Sequence, residues 1–337
     1  MQASDDLRVL GRRVGFDPNY LEAFEQKLFI GGPKTAQRLT NFFVLLLLAT
    51  VIATFGLISS STATVIGAMI VAPLMGPIMA TAAAVVMGST QRALRALALV
   101  AIGVTSVIIF SMVLTWIVPD VSISFTENAE IASRISPGLI ALLTALASGA
   151  AGAYITAREE IADSMGGVAI AISLVPPLCV VGISINQGRW DAAGGAFTLF
   201  LTNFLAILLA GGITFMLGGL GRLPTTANHA RMRRNAFVLI IVATLLVAVP
   251  LTITSYQSIT GSLESRTATG DVSQWLAGTT YQVVRTTVNG HAVTVVVEGT
   301  GEVRPLRDLA DNLAATLGRP VVVDLRMIPS RIQASGS

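Results

Sequence analysis

Residues Ala63–Gly88 read ATVIGAMIVAPLMGPIMATAAAVVMG, and the run contains no Asp, Glu, Lys or Arg. A hydrocarbon core about 30 Å thick needs roughly 20 such residues in a helix. Pro73 and Pro77 stand in the middle of the run, where proline removes a backbone hydrogen bond and clashes with the preceding turn. Broken backbone is tolerated at membrane depth only inside protein or beside a water-filled cavity. The stretch therefore predicts a membrane helix whose interruption is enclosed by protein or lies beside a water-filled cavity.

Six further apolar runs without charged residues occur along the chain. With the first, they are Asn41–Ile58, Ala63–Gly88, Ala96–Val118, Pro137–Ala157, Ser164–Ile185, Gly194–Leu217 and Ala236–Thr254. Charged residues make up only 12% of the chain, about half of the roughly 25% found in soluble domains. We therefore expect an all-α polytopic membrane protein with about seven transmembrane helices.

A second proline pair, Pro176–Pro177, stands in the fifth run. Spans one to three and four to six form two groups, and Pro73 and Pro177 lie in the middle helix of each. Because each group has an odd number of spans, the second group crosses the membrane in the opposite orientation to the first. The pattern therefore predicts a 3+3 inverted repeat with two Pro-broken helices. Paired broken helices of this kind indicate a midplane site in secondary transporters. Prolines that only kink packed helices would give the same pattern.

Lysine and arginine in the short loops predict the orientation. With the N-terminus in the cytoplasm, the inner side holds Lys34, Arg38, Arg92, Arg95, Arg158, Arg222, Arg231, Arg233 and Arg234, and the outer side holds Arg134, Arg189 and Arg266. This distribution predicts a multi-pass protein of a prokaryotic plasma or inner membrane, with its C-terminal domain outside.

Composition divides the chain into five parts. They are a cytoplasmic N-terminal segment with a short amphipathic helix (1–38), the transmembrane bundle (39–255), a polar linker (256–274), an extracytoplasmic domain (275–330) and a tail (331–337). In the domain, two strand-like runs flank Asn289–Gly290, a strong hairpin signal. Pro305 and Gly318 then bracket a helix, and an apolar run follows. We expect a ββαβ unit, which is small enough to lean on a second copy in a homo-oligomer or on the bundle.

Small and polar residues near the breaks are the candidate groups for binding a substrate or ion. They are Pro73, Gly76, Pro77, Pro176, Pro177, Asn203 and Thr62. Half-helix ends and unwound carbonyls can hold a ligand there without a charged side chain. Asn203, the most polar residue deep in a span, could instead bond a neighbouring helix.

Charged residues at the inner ends of the fourth and fifth runs are candidates for gating or proton coupling. They are Arg158, Glu159, Glu160 and Asp163. A solvated loop of mixed charge would explain the same residues.

Several function classes lack their residues. The only histidines, His229 and His291, lie outside the apolar runs, and these runs hold no carboxylate, which argues against an intramembrane protease. There is no Gly-x-x-x-x-Gly-Lys-Ser/Thr loop for ATP, and Cys179 alone forms no intrachain disulfide. No basic run is interleaved with aromatic residues, so nucleic-acid binding has little support. We expect no enzyme activity, no cofactor and no metal site.

The motifs around the breaks resemble a known family. The stretches are IATFGLISSSTATVIGAMIVAPLMGPIM (Ile52–Met79), ASGAAGAYITAREEIADSMGGVAIAISLVPPLCVVGISI (Ala147–Ile185) and LFLTNFLAILLAGGITF (Leu199–Phe215). They are similar to the prokaryotic membrane family called the uncharacterised hydrophobic domain, or domain of unknown function 389, over about residues 39–217. The resemblance implies a membrane protein of that fold and carries over no reaction or substrate. Relatives often have Asn-Ser-Pro-Ala where this chain has residues 60–63, Ser-Ser-Thr-Ala.

Two functions from different classes fit these observations. The first is a transporter-like or channel-like bundle for a small ion or a neutral or zwitterionic solute, with a midplane site between the broken helices. The second is a membrane-anchored envelope sensor or scaffold, whose C-terminal domain binds an envelope protein partner. Two costly breaks are more than an anchor requires, so the first is preferred.

The predicted orientation has a direct test. A reporter that is active only in the cytoplasm should be active when fused after Arg222 and silent when fused after Ser337, because seven crossings place the C-terminus outside. An active fusion at Ser337 would mean that one of the seven runs does not cross the membrane.

Overall fold

The structure is a computed structural model that describes residues 21–118, 123–125, 127–135, 138–158, 174–222, 227–289, 291–300 and 303–329. Within these ranges the chain is mostly helical, with a three-stranded sheet near its C-terminal end. Contacts divide the chain into two compact units, Met1–Leu251 and Thr252–Ser337.

The described helices and strands follow one another in a simple order. The first unit contains α1 (Leu21–Leu28), α2 (Thr35–Ile58), α3 (Thr62–Val71), α4 (Met75–Val86), α5 (Thr90–Ile117), α6 (Ala129–Ile135), α7 (Leu139–Thr156), α8 (Val175–Asn186) and α9 (Trp190–Leu217). After a 3-10 turn at Leu220–Arg222 come α10 (Ala227–Trp275), β1 (Gln282–Asn289), β2 (Ala292–Gly299), α11 (Leu306–Leu317) and β3 (Val322–Pro329).

Five of the described helices are long and apolar enough to cross a membrane. They are α2, α5, α7, α9 and the part of α10 from Ala230 to Val249. Together α3 and α4 reach the length of a sixth span, but they meet at an angle of 49°. The prediction of a mostly helical chain with several membrane-length helices and a small C-terminal sheet is confirmed.

The predicted number of seven spans is not confirmed. In the fifth predicted run, Ser164–Ile185, the structure describes only α8 and the residue before it, since residues 159–173 lie outside the described ranges. The described helices also do not establish that one group of spans is inverted relative to the other.

Two parts of the bundle nevertheless repeat each other at a spacing of 100 residues, from Met75 to Val175. Helices α4 and α8 each have 12 residues, and α5 and α9 each have 28. Gly88 (φ 71°) and Gly188 (φ 68°) make the turns between them, because a positive φ strains any residue with a Cβ atom. The structural repeat therefore aligns Pro177 with Pro77, whereas the sequence pattern had matched it to Pro73.

Helix contacts follow the same repeat. The half-length helix α4 packs on α5 and α9, and α8 packs on α9 and α5. The short helix α1 contacts α4, as α6 contacts α8. The long helix α2 packs on α5 and α8, and α7 packs on α9 and approaches Met75 of α4 through Gly152.

Small residues bring α7 and α9 close together. A Cβ atom on Gly149 would lie 2.7 Å from the Cα atom of Ile207 and 3.1 Å from its carbonyl oxygen. Small residues at such contacts let helix backbones approach in lipid, where no hydrophobic force drives the helices together. The stripe Ala145, Gly149 and Ala153 is therefore a packing surface, with all three residues buried.

The C-terminal unit has the predicted ββαβ order. β2 is the central strand, antiparallel to β1 and parallel to β3. Gly318 ends α11 in the left-handed conformation with φ 66°, as its position after the last leucine predicts. The buried core consists of Ala268, Val272, Trp275, Leu276, Val288, Val293, Val295, Val297, Leu309 and Leu313.

The segment predicted as a polar linker, 256–274, is helical instead. It forms the later part of α10, and Ala268, Val272 and Trp275 place an apolar stripe of that helix in the core of the sheet. Arg319 also donates a 2.9 Å hydrogen bond to Glu264 on the same helix. The sequence reading missed the stripe because three apolar residues are spread through a polar stretch. The C-terminal unit is so small that it needs this part of α10, in addition to α11, to bury enough apolar surface.

The close contact of α7 with α9 predicts the effect of one methyl group. Gly149→Ala should destabilise the bundle by about 1–3 kcal/mol, because the neighbour that must move is backbone. The matched control is Gly194→Ala on α9, where a Cβ atom would meet nothing within 4 Å. Thermal unfolding of the purified full chain in a neutral detergent measures the difference, and equal midpoints for the two variants would contradict the packing described here.

Candidate functional site

The first break has the geometry that its prolines impose. Ala72 is extended, with φ −66° and ψ 121°, because a following proline disfavours the helical conformation. After Pro73 the helix restarts as α4, with Gly76 and Pro77 in its first turn, where a missing N–H is tolerated. The residue before that turn, Leu74, supplies no side-chain cap.

A cavity of about 1070 Å³ lies beside this break. Pro73, Gly76, Pro77 and Ala80 lie along its wall. Gly76 is exposed although it stands in the middle of an apolar run. A Cβ atom there would meet no atom within 4 Å. The cavity therefore reaches the backbone at the start of α4.

Basic side chains surround the cavity. They are Lys27, Lys34, Arg38, Arg92 and Arg95, and Glu25 is the one carboxylate among the described lining residues. All five basic residues belong to segments that the sequence analysis had placed on the cytoplasmic side of the membrane. The fold brings those segments together around one opening, where Gly31, Pro33 and Lys34 are exposed.

Arg38 fixes α1 as one wall of the cavity. Its guanidinium donates hydrogen bonds to the carbonyl oxygens of Gln26 at 2.6 Å, Lys27 at 2.5 Å and Phe29 at 2.9 Å. These carbonyls belong to the last turn of α1 and the residue after it, where helix carbonyls lack partners and a cation is favourable.

Two further contacts hold α1 against the bundle. Arg92 on α5 forms an ion pair with Glu25 at 2.7 Å and lies 5.0 Å from the centre of the Phe29 ring. Phe24 packs edge-on against Phe215 of α9, with ring centres 5.8 Å apart. Helix α1 is therefore a cap over the start of α4.

Pro177 has the same position in α8 as Pro77 has in α4, but a different environment. Pro176 and Pro177 stand in the first turn of α8, whose first ten residues are all buried. The structure places neither proline among the described residues that line the cavity. The starts of the two half-length helices thus differ in access, since the start of α4 lines the cavity and the start of α8 is buried.

Helix α6 packs on α8, the half-length helix with the buried start, and makes buried polar contacts there. Thr62 donates a 2.5 Å hydrogen bond to Glu130, and Glu130 pairs with Arg134 at 2.9 Å. Asn128 donates a 2.7 Å hydrogen bond to the carbonyl oxygen of Leu57 at the end of α2. Burial lowers the pKa of the Arg134 guanidinium, and the adjacent Glu130 carboxylate opposes that shift. We call α1 and α6 the two cap helices.

Sequence reasoning selected Thr62 but missed its partner. Glu130 and Arg134 stand four residues apart, the spacing that places them on one face of a helix. That spacing was the available signal, but the segment is short and polar and was read as an outer loop. Only the packing of α6 on α8 and α9 buries the pair.

The remaining predicted residues lie elsewhere. Asn203 is 6% exposed on α9, and it does not line the described cavity. Arg158 lies 3.6 Å from the centre of the Tyr154 ring. Glu159, Glu160 and Asp163 lie outside the described residues. Within the described ranges, no group of three or more His, Cys, Asp or Glu side chains is arranged to hold a metal ion.

Comparisons with known proteins cover the same part of the chain. Residues 69–209 match the family described as Domain of unknown function (DUF389). The chain is also 31% identical over 206 residues to the "Uncharacterized protein MJ0678" of Methanocaldococcus jannaschii, a match that spans 61% of this chain and 63% of that relative. No solved structure matches the chain. The resemblance of this chain to the DUF389 family is thereby confirmed for the segment that holds α4, α5 and α8.

Proposed function

We propose that the bundle is a transporter-like or channel-like protein for a small ion or solute, with its site at the start of α4. The observation that carries the proposal is the cavity that reaches the broken backbone at Pro73 and Gly76. A helix break inside an apolar span costs hydrogen bonds, and a water-filled cavity is one of the few places where lipid-buried proteins accept that cost. A bundle that served only as an anchor would need neither feature.

The difference between the two breaks supports this proposal. The repeat places the starts of α4 and α8 in equivalent positions, yet only the first is open to the cavity. Each start has its own cap helix, and the α6 cap is held by the Glu130–Arg134 pair and by Thr62. Transporters built from two repeats open one side at a time in this way. The α1 end, which carries the basic loops, is the cytoplasmic end in this proposal.

A second candidate function is an envelope sensor or scaffold that acts through the C-terminal unit. The observation in its favour is β3, an edge strand with Val322 72%, Met327 54% and Ile328 46% exposed. An exposed apolar edge strand is a surface on which a partner can add a strand.

Flux into vesicles tests the first candidate. Full-length protein in phosphatidylcholine vesicles should admit at least one of potassium chloride, sodium acetate, glycine and glycerol faster than empty vesicles do. Gly76→Leu should lower that rate about tenfold, the effect of a ~1.4 kcal/mol barrier, because the new side chain projects into the cavity. Gly67→Leu on α3 is the control, since a Cβ atom there also meets nothing within 4 Å and the residue does not line the cavity.

Two results would contradict the transport proposal. One is a rate for every solute equal to that of empty vesicles, and the other is an unchanged rate in a folded Gly76→Leu variant. Removal of residues 252–337 separates the two candidates, because it deletes the second unit as a whole. The transport proposal expects the flux to survive this truncation.

Labelling of Cys179, the only cysteine, tests whether α6 shields α8 from water. Cys179 is fully buried on α8, the half-length helix that α6 contacts. Glu130→Gln should raise its labelling rate by a water-soluble maleimide more than tenfold, because removing one partner of a buried pair costs about 3–5 kcal/mol and favours local opening. Mass spectrometry of the purified protein measures the rate.

Two controls separate opening of α6 from general loosening. Glu127→Gln changes an exposed carboxylate beside α6 and should leave the labelling of Cys179 unchanged. Gly149→Ala loosens the bundle at α7 and should raise the rate less than Glu130→Gln does. Equal rates in Glu130→Gln and wild type would show that α6 does not close this side.

A further inference from the structure

The cavity beside the first break is lined by more basic than acidic side chains, although an interrupted helix by itself requires no charge. Five basic residues line it, and Glu25 is the one carboxylate among the described lining residues. Glu25 is already paired with Arg92, and Arg38 is bonded to carbonyl groups that carry no net charge. The described residues that line the cavity therefore carry an excess of positive charge. Low-dielectric walls concentrate the field of such an excess.

The deep end of the cavity adds hydrogen-bond donors. The first turn of α4 has no side-chain cap, and the N–H groups of Met75 and Gly76 have no acceptor within the helix, so the positive end of the helix dipole lies at this wall of the cavity. Gly76 lacks the side chain that would cover them, and it is exposed. A helix start that lines the same cavity as several basic side chains favours the binding of an anion.

Size and lining narrow the ligand class. A volume of about 1070 Å³ is at the upper end of the ~300–1,000 Å³ typical of small-molecule pockets. Phe42, Leu45 and Leu99 also line the cavity, and apolar walls with a few polar groups suit an organic molecule.

We propose that this cavity binds a carboxylate or phosphate group, held by the arginines of α5 and by the start of α4. This inference rests on the proposed function, and it narrows the small ion or solute of that function to an anionic one. The anionic group can belong to a soluble molecule or to a lipid headgroup, and both present the same chemistry to Arg92 and Arg95.

Ligand-dependent stability tests the site on the full chain. In neutral detergent, sodium phosphate should raise the unfolding temperature above that in sodium chloride of equal ionic strength. Arg95→Gln should weaken the apparent affinity for phosphate about tenfold, since a charge-assisted hydrogen bond contributes roughly 1.5 kcal/mol. Arg234→Gln is the matched control, because this arginine is exposed on α10 and does not line the cavity.

A second variant guards against a folding defect. Gly76→Leu adds a side chain at the start of α4, where a Cβ atom meets nothing within 4 Å, so it should also lose the phosphate effect, whereas Gly67→Leu should keep it. A phosphate effect that is the same in wild type, Arg95→Gln and Gly76→Leu would overturn the proposal.

Lipid composition separates the two sources of the anion. The same variants are compared in nanodiscs of phosphatidylcholine alone and with phosphatidylglycerol. Stabilisation by phosphatidylglycerol that needs Arg95, without any effect of free phosphate, assigns the site to a lipid headgroup and overturns the solute assignment. If neither phosphate nor phosphatidylglycerol acts through Arg95 while the vesicle flux persists, the anion site is wrong and the proposed transport stands.

Discussion

The structure depends on how a chain in hydrocarbon satisfies the backbone of a helix that starts in mid-span. Pro77 and Pro177 each stand in the first turn of a half-length helix, and the N–H groups there have no intrahelical acceptor. In lipid such groups must be enclosed by protein or reach water. This bundle uses both solutions, since the start of α8 is buried and the start of α4 lines a cavity.

The repeated unit explains why the two solutions can coexist. One copy of the repeat runs from α1 to α5 and the other from α6 to α9. Each copy contains a short cap helix, a membrane-length helix (α2 or α7), a 12-residue half-helix and a 28-residue helix. The half-helix of each copy packs on the 28-residue helix of the other copy, as well as on its own. Exchange of partners in this way makes neither unit complete by itself, so a shift in one unit changes the surroundings of the other. That coupling gives the proposed gating a structural basis.

Charge is distributed between the two caps in different ways. At α6 it is nearly neutral and buried, with Glu130 and Arg134 11% and 15% exposed in their side chains. At α1 it is largely basic and open to the surface. A buried pair costs desolvation and mainly fixes one arrangement, whereas an open basic cavity attracts anions. The same position in the repeat thus carries a buried ion pair at one cap and a basic cavity at the other.

The sequence by itself determined the local features of this protein. Uncharged apolar runs of about the length that the hydrocarbon core requires predict the membrane helices. The prolines predict that two helices are interrupted, and Asn289, Pro305 and Gly318 predict the C-terminal elements. These features depend on neighbours along the chain, and so composition and spacing suffice. The same reasoning named Pro73 and Gly76, which line the cavity.

Only the tertiary structure decided which groups meet. It joined Arg38, Arg92 and α1 around the first break, buried Glu130 against Thr62, and recruited Ala268 and Val272 into the core of the C-terminal unit. Each of these contacts joins parts of the chain that are distant in sequence or lies in a stretch that reads as polar loop. Side-chain burial is a property of the neighbours that folding supplies, and no local pattern of residues contains it.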